Sequence, residues 1–491
     1  MQKFNCLFLV CFSYLGIVSY AVAQNDADMV RYSKLQHGGS ARFEAMGGAF
    51  GALGADISAV QINPAAMGRF STSQVSLTVG PIINQSTATL VGTETKDSKF
   101  NFFLPSFGLV LTKDLSARNK GDMYSQFSVG MNRIGNFNQK MSISGEQFPS
   151  MLDGFIGQAQ GVAPENLRSY FPFSTYLAYE AYAIDYDPDS GEYLSYLNSG
   201  NMKMNRDLMT KGGVNEFYLS YSRNRLNRLY YGFSFNIRTY RYLENYKHSE
   251  DLVLADPNFV GFDYEYALKT TGTGANLKLG VIYLVSNSFR IGGAFHTPTY
   301  ISFQDKWSAT MTSRFTDGFE KVPEDLVPKG DYKYNMITPL KAVFSSSYVI
   351  GLSALISADV EYVGYKMTRL RSTRDIAYDP YDYKIENEDA KNRLTDAVNV
   401  RVGAEFNIQQ KFFLRAGFAY YGNAYKKSEL VDVKPELSYS GGLGYKLGNV
   451  NFDLSYVNRT LSRNYYPFVG SNSALIQSNI HSINISATVR F

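Results

Sequence analysis

The chain is poor in the residues that catalysis and metal binding most often use. Of 491 residues, two are cysteine and four are histidine, and a single tryptophan stands beside 38 tyrosines and 34 phenylalanines. Both cysteines, Cys6 and Cys11, lie in a leader with Lys3 as its basic start, an apolar stretch from Phe4 to Val18, and an Ala21-Val22-Ala23 cleavage signal before Gln24. This predicts a secretory signal peptide over 1–23. The mature chain then has no disulfide framework, no thiolate metal site and no lipid-anchoring cysteine. Net charge is only +4, from 48 basic and 44 acidic residues, which excludes the dense basic footprint of a nucleic-acid-binding protein. Beyond the leader no apolar run reaches the ~18 residues of a spanning helix, which excludes a helical transporter.

What is present is alternation. Ile483, Ile485, Ala487, Val489 and Phe491 alternate with Ser482, Asn484, Ser486, Thr488 and Arg490, giving one apolar and one polar face, the lipid-out, water-in pattern of a transmembrane barrel. The same period recurs in Val398 to Phe406, Leu414 to Tyr420, Leu277 to Tyr283 and Val450 to Tyr456. Fourteen strands are predicted, beginning near Gln74, Asp97, Met123, Gly212, Arg228, Tyr264, Ser288, Asp331, Gly351, Arg393, Lys411, Glu436, Asn449 and Ile480. Links alternate too: short around Arg225, Ser286, Val349, Ile408 and Leu447, long around Lys247 to Phe262, Asp317 to Gly330, Arg371 to Asn392, Asn423 to Pro435 and Leu461 to Asn479, the exceptions being a tight first outside loop near Gly92 and a longer inside link from Lys113 to Asp122. Short inside turns and long outside loops are what a closed bacterial barrel shows. The expected fold is an all-β, 14-stranded antiparallel transmembrane barrel over 74–491.

Residues 24–73 lack the alternation and carry six glycines between Gly38 and Gly54. They predict a compact hatch packed in the lumen, with a short helix capped by Asn63 and opened by Pro64 and Ala65. The run from Gly47 to Gly54 has no Lys-Ser/Thr ending, so it predicts tight packing and not a phosphate loop. The segment 146–211 is predicted to be a long extracellular, partly helical loop. It is too apolar for a solvated one, with Phe148, Met151, Leu152, Phe155, Ile156, Phe171 and Phe173, and reads either as a self-packed cap or as a capture groove. Asp185, Asp187 and Asp189 fit a solvated turn or a calcium loop, though Ser190 stands where the calcium motif needs Gly. No metal is assigned. His37, His248, His296 and His481 lie in no nucleophile motif, so no enzyme activity is expected.

By alternation Arg238, Lys278, Arg290, Arg401 and Arg415 point inward, among Glu361, Glu405 and Asp453. They form either a salt-bridge lattice or, in part, a carboxylate-binding site. Strand three slips phase around Gly130 and Gly135, as a bulge or a kink does.

The run from Tyr32-Ser33 through Gly38-Gly39, then Ala45-Met46-Gly47-Gly48-Ala49-Phe50 and Ile62-Asn63-Pro64-Ala65, resembles the hatch of the FadL/TodX family of outer-membrane transporters for long-chain fatty acids and other hydrophobic molecules, in its Bacteroidetes-type form. The resemblance implies capture in the long loop, a lumen site, and lateral release through a kink in the third strand, here Gly130 or Gly135. The expected function is passive uptake of a hydrophobic small molecule, most of all a long-chain fatty acid, by a cofactor-free monomer of the outer membrane. Its partners are that ligand, membrane lipid and, during biogenesis, the barrel-assembly machinery. Two alternatives are a FadL-like partner in type IX protein export and a haem-binding receptor.

Overall fold

Strand pairing runs in an unbroken antiparallel ring. In the computed structural model, which describes residues 26–35, 38–117, 121–147, 149–195, 202–253, 258–323, 329–373, 381–430 and 433–491, fourteen strands form the wall. They are β1 (Gln74–Leu90), β2 (Thr93–Asp114), β3 (Asp122–Asn136, resuming at Gln139–Gln147), β4 (Met202–Arg225) and β5 (Leu229–Leu252). Then follow β6 (Phe259–Leu284), β7 (Phe289–His296 and Tyr300–Phe315), β8 (Lys329–Ile337 and Lys341–Ile350) and β9 (Ala354–Val363 and Arg369–Ser372). The ring ends with β10 (Ala397–Ile408), β11 (Phe412–Tyr421), β12 (Glu436–Leu447), β13 (Val450–Tyr465) and β14 (Ala474–Arg490). Each pairs with its chain neighbour, and β14 pairs back onto β1 from Gln74↔Arg490 to Thr89↔Leu475, so both edges of the sheet are consumed. The leader, His37 and Phe148 lie outside the described residues.

The register sorts side chains as the alternation predicts. Leu77, Phe107, Leu219, Phe235, Leu279, Phe344, Ile356, Leu414, Leu443 and Ile485 are exposed on the outside, while Ser76, Ser106, Glu216, Asn236, Lys278, Asp359, Arg401, Arg415 and Ser486 are buried inside. A soluble protein does the reverse. An apolar outer girdle around a polar interior is stable only with lipid against it, so this is a barrel of the outer membrane. The inside turns are tight: Leu226-Asn227 and Gln409-Gln410 both hold positive φ at consecutive residues, the twist that lets a short turn match its flanking strands.

Several strands run further outward than the alternation shows. β4 begins at Met202 and not near Gly212, β6 at Phe259 and not near Tyr264, and β14 at Ala474 and not near Ile480. About ten residues suffice to cross a membrane, yet β5 has 24 and β6 has 26. Beyond the lipid both faces are wet or protein-covered, so the period fades while the ladder continues. The long loop is shortened accordingly to 148–201.

Inside the ring sits the N-terminal segment: α1 (Asp26–Ser33), α2 (Ala41–Ala45) and two 3-10 helices, Ile57–Gln61 and Pro64–Arg69. Above it α3 (Met151–Ala159), α4 (Leu167–Tyr170), α5 (Thr175–Glu180) and a two-stranded ribbon (Ile184–Asp187 with Glu192–Ser195) form a cap. The strands β7 and β8 break at Thr297-Pro298-Thr299 and Thr338-Pro339-Leu340, since proline cannot donate to a ladder.

Candidate functional site

The hatch is seated by the Asn-Pro-Ala element. Asn63 caps the second 3-10 helix, its Oδ1 accepting from Ala65 N at 3.0 Å, while Nδ2 donates to Gly51 O at 2.7 Å and to Val281 O on β6 at 3.1 Å. The wall is hollowed to receive it: a Cβ at Gly280 would overlap Asn63 Oδ1, and one at Gly232 would press on Pro64 O. Ser222 Oγ donates to Pro64 O at 2.7 Å, and Lys278 Nζ and His296 Nε2 take the carbonyls of Gln61 and Ile62 at 3.2 and 2.9 Å. Replacing Asn63 by Ala removes a cap and leaves two buried carbonyls short of a donor, about 2–3 kcal/mol in all. Asn63→Ala should keep the heat-modifiable mobility of a folded barrel while hatch amides lose hydrogen-exchange protection.

The inward cations form a lattice. Arg238 meets Glu216 at 2.8 Å and Thr299 at 2.8 Å, and Lys278 bonds the same Glu216. Arg401 lies 3.8 Å from Asp359 and 3.5 Å from Glu361. Arg415 meets Glu405 and Asp453, both at 2.6 Å, and Arg42 of the hatch shares Glu405 at 2.9 Å. Arg290 differs: its Nη1 donates to Leu53 O of the hatch at 3.3 Å, and among the described residues no carboxylate comes within ion-pair distance. Four of the five candidate cations are therefore engaged by carboxylates, and Lys278 and Arg290 also hold hatch carbonyls.

One hatch carboxyl is poised to titrate. Burial pushes Glu44 of α2 up to about 7, although Arg459 and the Gly39 backbone amide favour its charged form. A raised carboxyl pKa means the seated hatch binds this proton more tightly than the released chain does. The contribution is full below pH ~4.5 and is lost as pH rises through about 7. Seating should thus weaken between pH 5 and 8 in the wild type. Glu44→Gln should flatten that profile when exchange protection is corrected for intrinsic rates.

Above the hatch lies an aromatic chamber. Its floor is α1, whose Tyr32 sits edge-on to Tyr240, Tyr242 and Phe137 at 6.1–6.3 Å and 4.7 Å from the Phe303 ring, with Arg31 over Tyr242 at 4.4 Å. Two to four residues further out, Tyr246, Tyr266, Leu268, Trp307 and Tyr332 point inward by register yet remain only half-buried, so space is left among them. The cap is the roof: Phe155 packs on Tyr264 at 5.9 Å, Tyr264 Oη donates to Phe173 O at 2.6 Å, and Phe173 lies 5.5 Å from Trp307. Glu250 on β5 pins the roof by accepting from Met151 N at 2.9 Å and from Ser150 Oγ, and His248 supports it at 2.9 Å. Met151, Leu152 and Phe155 are buried within the cap, whereas Ile156, Phe171 and Phe173 lie half-buried at its margin. Asp187 closes its own turn, accepting from Asp189 N at 3.0 Å and Ser190 Oγ at 2.7 Å. The wall aromatics Tyr240, Tyr242, Tyr246, Tyr266, Phe303, Trp307 and Tyr332 are not among the residues expected from sequence, unlike Phe155, Phe171 and Phe173 of the cap. The wall signal is that aromatics occupy the polar phase of β5 to β8, where an aqueous pore needs none.

The chamber has a side window. The β2–β3 ladder ends at Ser106↔Asn132. A bulge at Ile134 and the break at Phe137-Asn138 then turn the outer half of β3 inward, where Gln139 reaches Ser86 on β1 and Ser478 on β14, both at 2.9 Å. β2 and β3 meet again further out, where Asp97 holds Lys140 at 2.9 Å and Ser142 N at 2.6 Å and Thr95 Oγ1 donates to Ser142 O. Between lies an edge of β2 with no ladder partner on the β3 side, carrying Lys99, Asn101, Phe103 and Pro105, and Arg133 of β3 reaches across it with its guanidinium 5.7 Å from the Phe103 ring. Pro105 suits an edge that has no partner. Gly135 stands at the bulge against Val214, whereas Gly130 sits in a regular ladder opposite Gly108 and makes room for the Tyr218 hydroxyl.

No protein-family profile and no curated protein matches the chain by sequence. Solved structures do match in fold. The toluene transporter TodX of P. putida aligns with a TM-score of 0.54 at 13% identity, over 93% of this chain and 99% of that one. A Pseudomonas aeruginosa FadL homologue gives 0.58 at 12% identity over 94% and 100%, and the Ralstonia pickettii toluene transporter TbuX gives 0.50 at 15% over 93% and 99%. The chain is an outer-membrane β-barrel, closed by fourteen strands and plugged by its N-terminal hatch, with the fold of the FadL, TodX and TbuX channels.

Proposed function

We propose that the barrel carries a hydrophobic small molecule, a long-chain fatty acid above others, from the outside into the membrane by passive diffusion. The ligand is taken at the cap margin by Ile156, Phe171 and Phe173, held in the aromatic chamber, and released sideways between β2 and β3. The window carries this reading. An aqueous pore has no use for a gap in its wall at membrane depth, whereas a molecule that partitions into lipid has no use for a path into the periplasm, which the seated hatch blocks. The toluene transporters of the same fold support a hydrophobic cargo. Arg31 is held by Asp28, but Arg463, beside Tyr242 and Arg31 and with no carboxylate within ion-pair distance among the described residues, suits an acyl carboxylate better than a neutral hydrocarbon.

Trp307 is the chain's only tryptophan and touches the cap through Phe173, so its emission reports on the site directly. Titrating purified barrel with saturated fatty acids should change that emission with an affinity that rises up to about fourfold per methylene until the chamber is full. Replacing Phe171 and Phe173 with Ser should weaken long chains more than short ones. A response to toluene alone would move the assignment to aromatic hydrocarbons. Affinity independent of chain length, together with large copurifying proteins, would favour the export reading, and a haem absorbance band would favour the receptor.

A further inference from the structure

Outside the barrel, and independently of what the lumen carries, one side of the extracellular wall is strongly basic. On β4 to β7 the last apolar outward row is Phe217, Ile237 and Tyr300. Four to six residues further out, about 10–15 Å along tilted strands, the outward positions hold Lys211, Arg241, Lys269 and Lys306, continued by Lys333 on β8 and Arg371 on β9, all six exposed. Lys306 has Asp331 at 3.3 Å. Among the described residues no carboxylate lies within ion-pair distance of the other five. Lys269 and Lys306 are direct cross-strand partners, an arrangement that repels unless an anion lies over it. Across the barrel, the cross-strand outward row of β13, β14 and β1 at this height is Thr460, Asn479 and Gln85, so the charge belongs to one side and is not a general solubility device.

The next row outward is concave. Met209, Asn245, Ala267 and Ser308 pair in sequence across β4 to β7 and floor a groove of about 640 Å³, with Lys140 and Lys329 at its ends and Asp207, Lys247 and Glu265 along its outer rim, where the two carboxylates can accept from sugar hydroxyls. We propose that this face binds the phosphorylated headgroup of an anionic glycolipid of the external leaflet, with phosphate over Lys269, Lys306 and Arg241, sugar in the groove, and acyl chains along the apolar band beneath. The position selects a lipid. A soluble anion has no reason to meet its cations at the edge of a lipid-facing girdle, whereas a lipid phosphate is held at that height by its own chains.

The test uses the full barrel in detergent with diphosphoryl lipid A as probe, and adducts counted by native mass spectrometry. Wild type should bind it, and Lys269→Gln/Lys306→Gln should bind roughly thirty-fold more weakly at constant salt, about tenfold or less being lost for each charge. Lys96→Gln, on exposed β2 and outside the patch, should bind as wild type does. Heat-modifiable mobility confirms that each variant is folded, and Arg241→Gln replaces the double variant if it is not. Three results would overturn the proposal: binding by the double variant within twofold of wild type, equal binding of fully dephosphorylated lipid A, or displacement of the lipid by equimolar inorganic phosphate, which would assign the patch to free anions.

Discussion

A barrel with cysteine at Asn101 should lose at least tenfold in uptake of a hydrophobic substrate once that thiol is capped with a bulky reagent. Asn101 lines the unpaired edge of β2, inward by register and opposite Ile82, and its Nδ2 has no hydrogen-bond partner among the described residues. A large adduct there fills the gap between the Ser106↔Asn132 pair below and the Asp97–Lys140 ion pair above. Replacing Cys6 and Cys11, the chain's two cysteines, by Ser leaves the introduced thiol as the only one. The same adduct at Ile485, which faces lipid on β14, should leave uptake unchanged. Equal uptake before and after capping Asn101 would remove the window from the route.

The second large effect concerns the floor. Tyr32→Ala empties a cage built from Phe137, Tyr240, Tyr242 and Phe303, and truncating a buried aromatic costs about 3–5 kcal/mol. α1 has eight residues and is too short to hold itself in water without such packing. It should therefore leave its seat, deepening the chamber and thinning the plug. Cells carrying Tyr32→Ala should become several-fold more sensitive to antibiotics that the outer membrane normally excludes, with barrel abundance and heat-modifiability unchanged. Tyr32→Phe keeps the ring and should behave as wild type. Unchanged sensitivity in Tyr32→Ala would show that the lower hatch alone seals the lumen.

The wall was legible because the membrane imposes a period of two on each strand, and Ile483 to Phe491 display it without interruption. Asn63 was legible because a cap is local, its oxygen meeting the amide two residues on. The inward cations were legible as inward, but their partners were not. Lys278 finds the Gln61 carbonyl 217 positions away and Arg42 finds Glu405 across 363, pairings that only the closed ring creates. The phase slip in β3 marked the window's general place, yet its other jamb, Asn101 to Pro105, keeps regular alternation and gives no sign that its partner has left. The aromatic chamber stayed hidden because a tyrosine in a barrel strand reads equally well as an interface residue.

The route itself is tested most directly by photo-cross-linking. A fatty acid carrying a diazirine near its methyl end, bound to the barrel in outer-membrane vesicles and activated by light, marks whatever it touches on the way through. Adducts should concentrate at Tyr246, Tyr266 and Trp307 in the chamber and at Asn101, Phe103 and Phe137 beside the window. Adducts around Arg69, Tyr230 and Arg290, on the periplasmic side of the hatch, with none at the window would contradict lateral release and place the exit through the lumen.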